Sequence, residues 1–333
     1  MPQPVGFPPI LAIVAVLVCA GLLIAFYQAL FPRPARWLLV AVAFVLGALI
    51  TAGYAALLSP ASERLAGITD AWSALRAMAL IAGLPEEAVK LAATMIALLL
   101  FRRSLTPAEG FQAALVAALG FAALENLQYA RALPEAAVLI AGGRGIVASF
   151  VHSMMAMFQG TFIAAFIRSG WRRWHLLILG YAAAALAHSL FDWPLVRPLL
   201  EYLRTHSISP ETLLEALPIA PFALGVIVVS LVLLVRALRV CGREDPRADD
   251  PAHLALRRRW QRVGNVLIVA GVVGLVGSIA AVVVVSQQMA GQPQPTDISQ
   301  VTPEELRASV IMTAALAASP MLIICGILVR QKQ

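Results

Sequence analysis

Charge is scarce in this chain. Asp, Glu, Lys and Arg make up 13% of its 333 residues, where a soluble domain carries about a quarter. With 60% hydrophobic residues and a mean hydropathy of +0.84, that shortage excludes an ordinary soluble domain and puts the chain in the membrane class. Acids are scarcer than bases, and the net charge is +7. The arginines stand in short segments between apolar runs rather than in one patch. That distribution speaks against nucleic acid as a partner and for the lipid bilayer. Three cysteines, Cys19, Cys241 and Cys325, are too few and too scattered for a disulfide framework or a zinc ribbon. A His-Glu-x-x-His helix, a common signature of zinc proteases, is also missing. No basic stretch precedes the first apolar run, so Pro9–Phe31 is expected to span the membrane rather than serve as a cleaved leader.

What is present is a series of long apolar runs. A spanning helix needs roughly 20 mostly apolar residues. Nine segments qualify: Pro9–Phe31, Trp37–Leu58, Ala77–Phe101, Gly110–Ala130, Gly145–Ile167, Trp174–Trp193, Pro221–Val240, Val263–Ser286 and Val310–Val329. Charges and Pro85 interrupt the third. The fold class that follows is all-α, a polytopic transmembrane bundle of about nine spanning helices. Of the 25 Lys and Arg residues, seventeen fall on alternate connections and the C-terminal tail, and seven on the opposite side. The richer side should be cytoplasmic, which predicts an N-terminus outside and a C-terminus inside. Thr106-Pro107-Ala108-Glu109 and Thr302-Pro303-Glu304-Glu305 read as capped helix starts. The polar, basic stretch 241–262 is the clear linker. Residues 1–216 then form a membrane core of six helices, and 217–333 a C-terminal extension of unknown role, divided by that linker.

Ionisable side chains inside a span are costly and mark functional candidates. The third span reads Gly83-Leu84-Pro85-Glu86-Glu87-Ala88-Val89-Lys90. Glu86 and Lys90 lie four apart on one helical face and are expected to pair. Pro85 removes a backbone bond, and non-helical backbone at this depth is tolerated beside a water-filled cavity. The same letters also suit an ordinary helix start, the role they take at Thr302–Glu305. The fourth span holds Glu125 and Asn126, the fifth His152, and the sixth His188 with Asp192 four residues on. Singly, each has a plain reading: a glutamate reaching the interface, a packed histidine, a solvated aspartate. Depth joins them. At about 1.5 Å per residue, Glu125 and His188 lie roughly 8 Å from the outer end of their spans, His152 roughly 10 Å, and Glu86 and Glu87 roughly 14 Å. Five such residues in one half of a core about 30 Å thick, on four successive helices, form a candidate site. His175, His206 and His253 fall at a membrane edge or in loops and do not join it.

At these residues the sequence resembles the PrsW family of intramembrane proteases, within the superfamily that includes the CAAX prenyl endopeptidases and Abi proteins. The matching pieces are Glu86-Glu87-x-x-Lys90, Phe121-x-x-x-Glu125 followed by Asn126, His152 in the next helix, and His188-x-x-x-Asp192. The resemblance covers roughly residues 75–195. It implies peptide-bond hydrolysis in or near the membrane, in a multi-pass protein of the bacterial cytoplasmic membrane. The family includes proteases that cut anti-sigma factors, so the implied partner is a membrane-anchored, single-span protein.

The residues themselves allow that chemistry. Carboxyl groups gathered in an apolar layer can divide into an ionised base and a protonated acid. Glu86 or Glu87 is expected to activate a water, with His152 and His188 orienting it or donating to the developing oxyanion. Lys90 would hold a carboxylate charged, Asp192 would orient His188, and Asn126 would position the scissile carbonyl. This metal-independent glutamate mechanism is the favoured expectation, with no cofactor. Zinc held by His152, His188 and Glu125 is the alternative. Two readings of other classes remain. One is a proton-coupled transporter, against which the confinement to one leaflet speaks. The other is a non-catalytic scaffold, like the Aph-type gamma-secretase subunit that the superfamily also resembles.

Overall fold

The computed structural model describes residues 9–31, 33–58, 71–132, 144–205 and 218–243. Every regular element among them is helical. Helix α1 is Pro9–Leu30 and α2 is Trp37–Leu58. Helix α3, Ala71–Met78, passes through a π turn, Ala79–Gly83, into α4, Leu84–Phe101. Then come α5, Pro107–Ala132; α6, Gly145–Arg168; α7, His175–Thr205; and α8, Ala220–Arg243. Long apolar runs take this form because backbone groups in hydrocarbon must find partners within their own segment.

Among the described residues, six helices are long and apolar enough to cross a membrane: Ile10–Leu30, Trp37–Tyr54, Pro107–Arg131, Gly145–Arg168, His175–Pro194 and Pro221–Val240. Each lies on an expected span. The third expected span, Ala77–Phe101, is not among the six, since α4 carries Glu86, Glu87 and Lys90 within 18 residues. Its helical backbone also begins earlier, at Ala71. Helix α7 runs on through Pro194 and Pro198 to Thr205 rather than stopping near Trp193. The eighth and ninth expected spans, with the linker after Arg243, lie outside the described residues.

Helix α5 is the hub, packed by α1, α2, α4 and α6. Two glycines set its crossing with α2. A Cβ on Gly47 would run into the Ala117 carbonyl, and one on Gly120 into the Phe44 carbonyl. Backbone therefore meets backbone, as small residues permit in membrane helices. Helix α5 starts with the expected capping box: Glu109 N–H donates to Thr106 Oγ1 at 3.2 Å and Thr106 N–H to Glu109 Oε2 at 3.0 Å. Arg36 bonds Glu109 at 2.7 Å, and the buried Gln112 accepts from Ala35 N–H at 2.9 Å. These bonds fasten the α1–α2 connection to the start of α5 at one end of the bundle. The candidate residues lie toward the other end, which bears Arg131, Gly145 and Pro194. Helix α8, the first of the C-terminal extension, packs on α6 and α7 and places Val226, Leu234 and Leu238 in the main core.

Candidate active site

The local backbone is set first by Pro85. Helix runs continuously up to Pro85-Glu86-Glu87, so these residues do not open a helix at an aqueous edge. The backbone stays helical at the expected break, and the irregularity is a π turn just before Pro85: Leu84 N–H bonds the Ala79 carbonyl, five residues back. In an α-helix the Ile81 carbonyl would take the N–H of residue 85, which proline lacks. The Tyr54 hydroxyl donates to that carbonyl instead, at 2.9 Å. Gly83 faces α7 so closely that a Cβ there would meet Ser189 Oγ and lie 2.6 Å from the Ala185 carbonyl. A glycine before the glutamates thus lets the helix carrying His188 come in.

Glu87 and Lys90 are fully buried. Lys90 Nζ lies 2.6 Å from Glu87 Oε1 and 3.9 Å from Glu86 Oε2. The expected Glu86–Lys90 pair is present as a long contact, and Glu87, three apart on the same helix, is the closer partner. Glu87 Oε1 also takes His188 Nδ1 at 2.9 Å, and its Oε2 takes Gln159 Nε2 at 2.9 Å. Lys90 Nζ reaches His152 Nδ1 at 3.0 Å. Its ammonium sits over the Phe121 ring, 4.4 Å from the centroid. Such a cation, desolvated but ringed by a carboxylate, an imidazole and an aromatic face, is matched on each side.

His152 Nε2 lies 2.8 Å from Glu125 Oε2, and Arg144 bonds Glu125 Oε1 at 2.9 Å. An ammonium can only donate and a carboxylate can only accept. His152 therefore accepts at Nδ1 from Lys90 and donates at Nε2 to Glu125. His188 Nε2 lies 3.2 Å from Asp192 Oδ2 and 3.8 Å from Glu86 Oε2. The result is an unbroken line of polar partners, Arg144–Glu125–His152–Lys90–Glu87–His188–Asp192, drawn from α4, α5, α6, α7 and the residue just before α6. The two imidazoles meet edge-on with centroids 5.4 Å apart.

Glu86 stands beside this line. Its side chain is 14% exposed, and Oε2 is buried and makes no hydrogen bond within the described residues. One donor atom each from Glu86, His152 and His188 lie within 4.8 Å of one another. That set differs from the zinc ligands expected from sequence, which had Glu125 in place of Glu86. The reason is local: both Glu125 oxygens are committed, one to His152 and one to Arg144. Two imidazoles and a carboxylate are a zinc donor set. At His188 Nδ1 is held by a carboxylate, as is common behind metal-bound histidines, and a metal at Nε2 would have to displace the Asp192 contact at 3.2 Å. At His152 a metal would have to displace Lys90 or Glu125.

All five candidates are thus brought together, with Lys90 and Asp192 in direct contact with them. Asn126 is buried beside Glu125; its Nδ2 reaches Ser149 Oγ at 3.4 Å and its Oδ1 makes no hydrogen bond among the described residues. His175 is exposed at the start of α7, and His206 and His253 lie outside the described residues. Three neighbours escaped the sequence reading. Arg144 read as a loop arginine, and nothing in sequence ties it to Glu125. Gln159 had a signal: it lies seven residues after His152, two turns along the same face. Tyr54 lies near the end of the second expected span, and nothing in sequence ties it to the third. Along the helices, Glu125 is six residues from Arg131, His152 seven from Gly145 and His188 six from Pro194. Each is therefore about 9–11 Å from that end at about 1.5 Å per residue.

A protein-family model described as PrsW family intramembrane metalloprotease matches residues 34–234. This is longer than the stretch 75–195 and takes in most of α8. Curated proteins yield no match, and solved structures yield none.

Proposed function

Because the chain belongs to the PrsW family of intramembrane proteases, we propose that it is an endopeptidase that hydrolyses a peptide bond of a membrane-anchored protein at the layer where Glu86, His152 and His188 converge. The observation that carries this reading is Glu86 Oε2, a buried carboxylate oxygen that makes no hydrogen bond among the described residues and lies near two histidines. Glu86, His152 and His188 would hold a divalent ion such as zinc. That ion would polarise the scissile carbonyl and supply a nucleophile at neutral pH.

The chain's own residues do the rest. Glu87, through Nδ1, holds the His188 ring in place; Gln159 and Lys90 hold Glu87. Lys90 and Glu125 fix His152 from opposite sides. The apolar walls exclude bulk water, which strengthens every charge interaction inside. A second reading keeps the same residues without an ion. Glu86 then takes the proton of the attacking water, and His188 donates to the oxyanion. What favours it is His152, both of whose ring nitrogens are already engaged.

The substrate we propose is a single-span protein cut near its outer boundary, of the kind an anti-sigma factor represents. The membrane is the bacterial cytoplasmic one, with the N-terminus outside. The test compares wild type with Glu86→Gln, Glu87→Gln and His188→Ala, by membrane proteomics for uncleaved single-span proteins and by zinc analysis of the purified chain. Protease function predicts that cleavage products vanish in all three; products unchanged in all three would overturn it. Metal dependence predicts about one zinc per wild-type chain, lost in Glu86→Gln. Cleavage that survives strong chelation and dialysis would leave the glutamate reading standing alone.

A further inference from the structure

Seven residues around the glutamates are held from outside by three other helices. From α2, Tyr54 donates to the Ile81 carbonyl at 2.9 Å. From α7, Tyr181 donates to the Leu84 carbonyl at 3.0 Å. From α6, Gln159 donates to the Glu87 carbonyl at 2.9 Å, and to the Glu87 carboxylate as well. The three carbonyls are spaced three apart, so they climb one side of the helix. A polar side chain in a membrane needs some partner, and a tyrosine usually finds one. Chance partnering does not explain why donors from three helices converge on 81–87, the stretch that carries the π turn, Pro85 and both glutamates.

The three bonds are not equivalent. Leu84 and Glu87 lie in α4, where their carbonyls already have helical partners, and a carbonyl oxygen can accept a second bond. Ile81 is different, because the residue four ahead of it is Pro85. We propose that Tyr54, Gln159 and Tyr181 are positioning residues that suspend this stretch and so set where Glu86 and Glu87 sit. Tyr54 is the decisive member, because its hydroxyl stands in for the N–H that Pro85 lacks. This rests on the endopeptidase reading for its kinetic consequences only; the suspension itself is a statement about backbone and carboxyl placement.

The geometry supplies a test by compensation. Pro85→Ala returns an N–H to the Ile81 carbonyl, which should make the Tyr54 hydroxyl dispensable. The probe is a single-span peptide carrying a fluorophore and quencher on either side of its outer membrane boundary, in micelles with the full chain. Tyr54→Phe should lower kcat about tenfold with KM within about twofold, as expected for a misplaced group that does not bind substrate. On the Pro85→Ala background the same change should cost less than about threefold. Equal losses on both backgrounds, or no loss on either, would overturn the proposal. A second measurement is independent of turnover. Solid-state NMR of the wild-type chain and Tyr54→Phe, with labelled Ile81 carbonyl and Glu86 and Glu87 carboxyl carbons, should show all three signals moved. Unmoved signals would sink the suspension even if the chain cleaves. Moved signals in a chain that fails to cleave would instead leave the suspension and remove the endopeptidase reading.

Discussion

Gly83→Ala is the smallest change that should separate fold from chemistry. The added methyl would meet Ser189 Oγ, which can rotate away, and the Ala185 carbonyl at 2.6 Å, which cannot. Ordinary contact begins near 3.4 Å, so α7 must retreat by about 0.8 Å. Ala185 and Ser189 bracket His188, which moves with them. His188 Nδ1 would then lose its 2.9 Å bond to Glu87. A misplacement near 1 Å costs on the order of 100-fold in a well-placed site, so kcat on the quenched single-span peptide should fall between about ten- and 100-fold. Overpacking should cost stability only about 1–3 kcal/mol, visible as a modest fall in thermal midpoint. Gly21→Ala, where nothing lies within 4 Å, is the matched control and should change neither. Adding Ser189→Ala should not rescue Gly83→Ala, because the carbonyl remains. Activity of Gly83→Ala within twofold of wild type, or full rescue by Ser189→Ala, would refute the reasoning.

Three further outcomes are expected. Lys90→Met removes the buried cation 2.6 Å from Glu87 and should destabilise the chain by about 3–5 kcal/mol. Adding Glu87→Leu should recover much of that in thermal unfolding while cleavage stays absent. Arg144→Gln takes one of two partners from Glu125. The arginine is about a third exposed, so stability should drop by no more than about 1 kcal/mol, while kcat falls several-fold; a kcat equal to wild type would remove Arg144 from the site. Reporter tags on the termini should place the N-terminus outside and the C-terminus in the cytoplasm; the reverse would break the charge-based orientation.

Much of the site was legible in sequence because a charged letter in an apolar run has few innocent explanations. Glu86, Glu87, Glu125, His152 and His188 stood out for that reason, and counting depth along alternate helices placed them together. What sequence could not provide was which acid pairs with which base. Lys90 sits closer to Glu87 than to Glu86, and α6 and α7 bring Gln159 and His188 to the Glu87 carboxylate as well, a tertiary fact. Uncharged Gln159 and Tyr54 raise no alarm in a hydropathy profile. Arg144 looked like one of the arginines that set topology. The π turn was half visible: Pro85 announces a missing donor, but the side chain that answers it comes from a helix 27 residues earlier. The same limit applies to the third expected span, where the helical backbone already begins at Ala71 with no apolar run to mark it.

Helix α5, enclosed on nearly all sides and less apolar than α1, has a consequence for how the protein is made. A segment rich in alanine and carrying Glu109, Gln112, Glu125 and Asn126 gains little from lying alone in lipid. It becomes comfortable only once α2 and α6 cover it. The members of the polar line come from α4, α5, α6 and α7, helices that are synthesised in that order although the contacts cross back and forth between them. A ribosome must therefore have released residue 192 before the last member of that line can take its place. Until α7 is made the nascent chain lacks His188 and Asp192, so the proposed site is completed late in biosynthesis, after α4, α5 and α6 have already been synthesised.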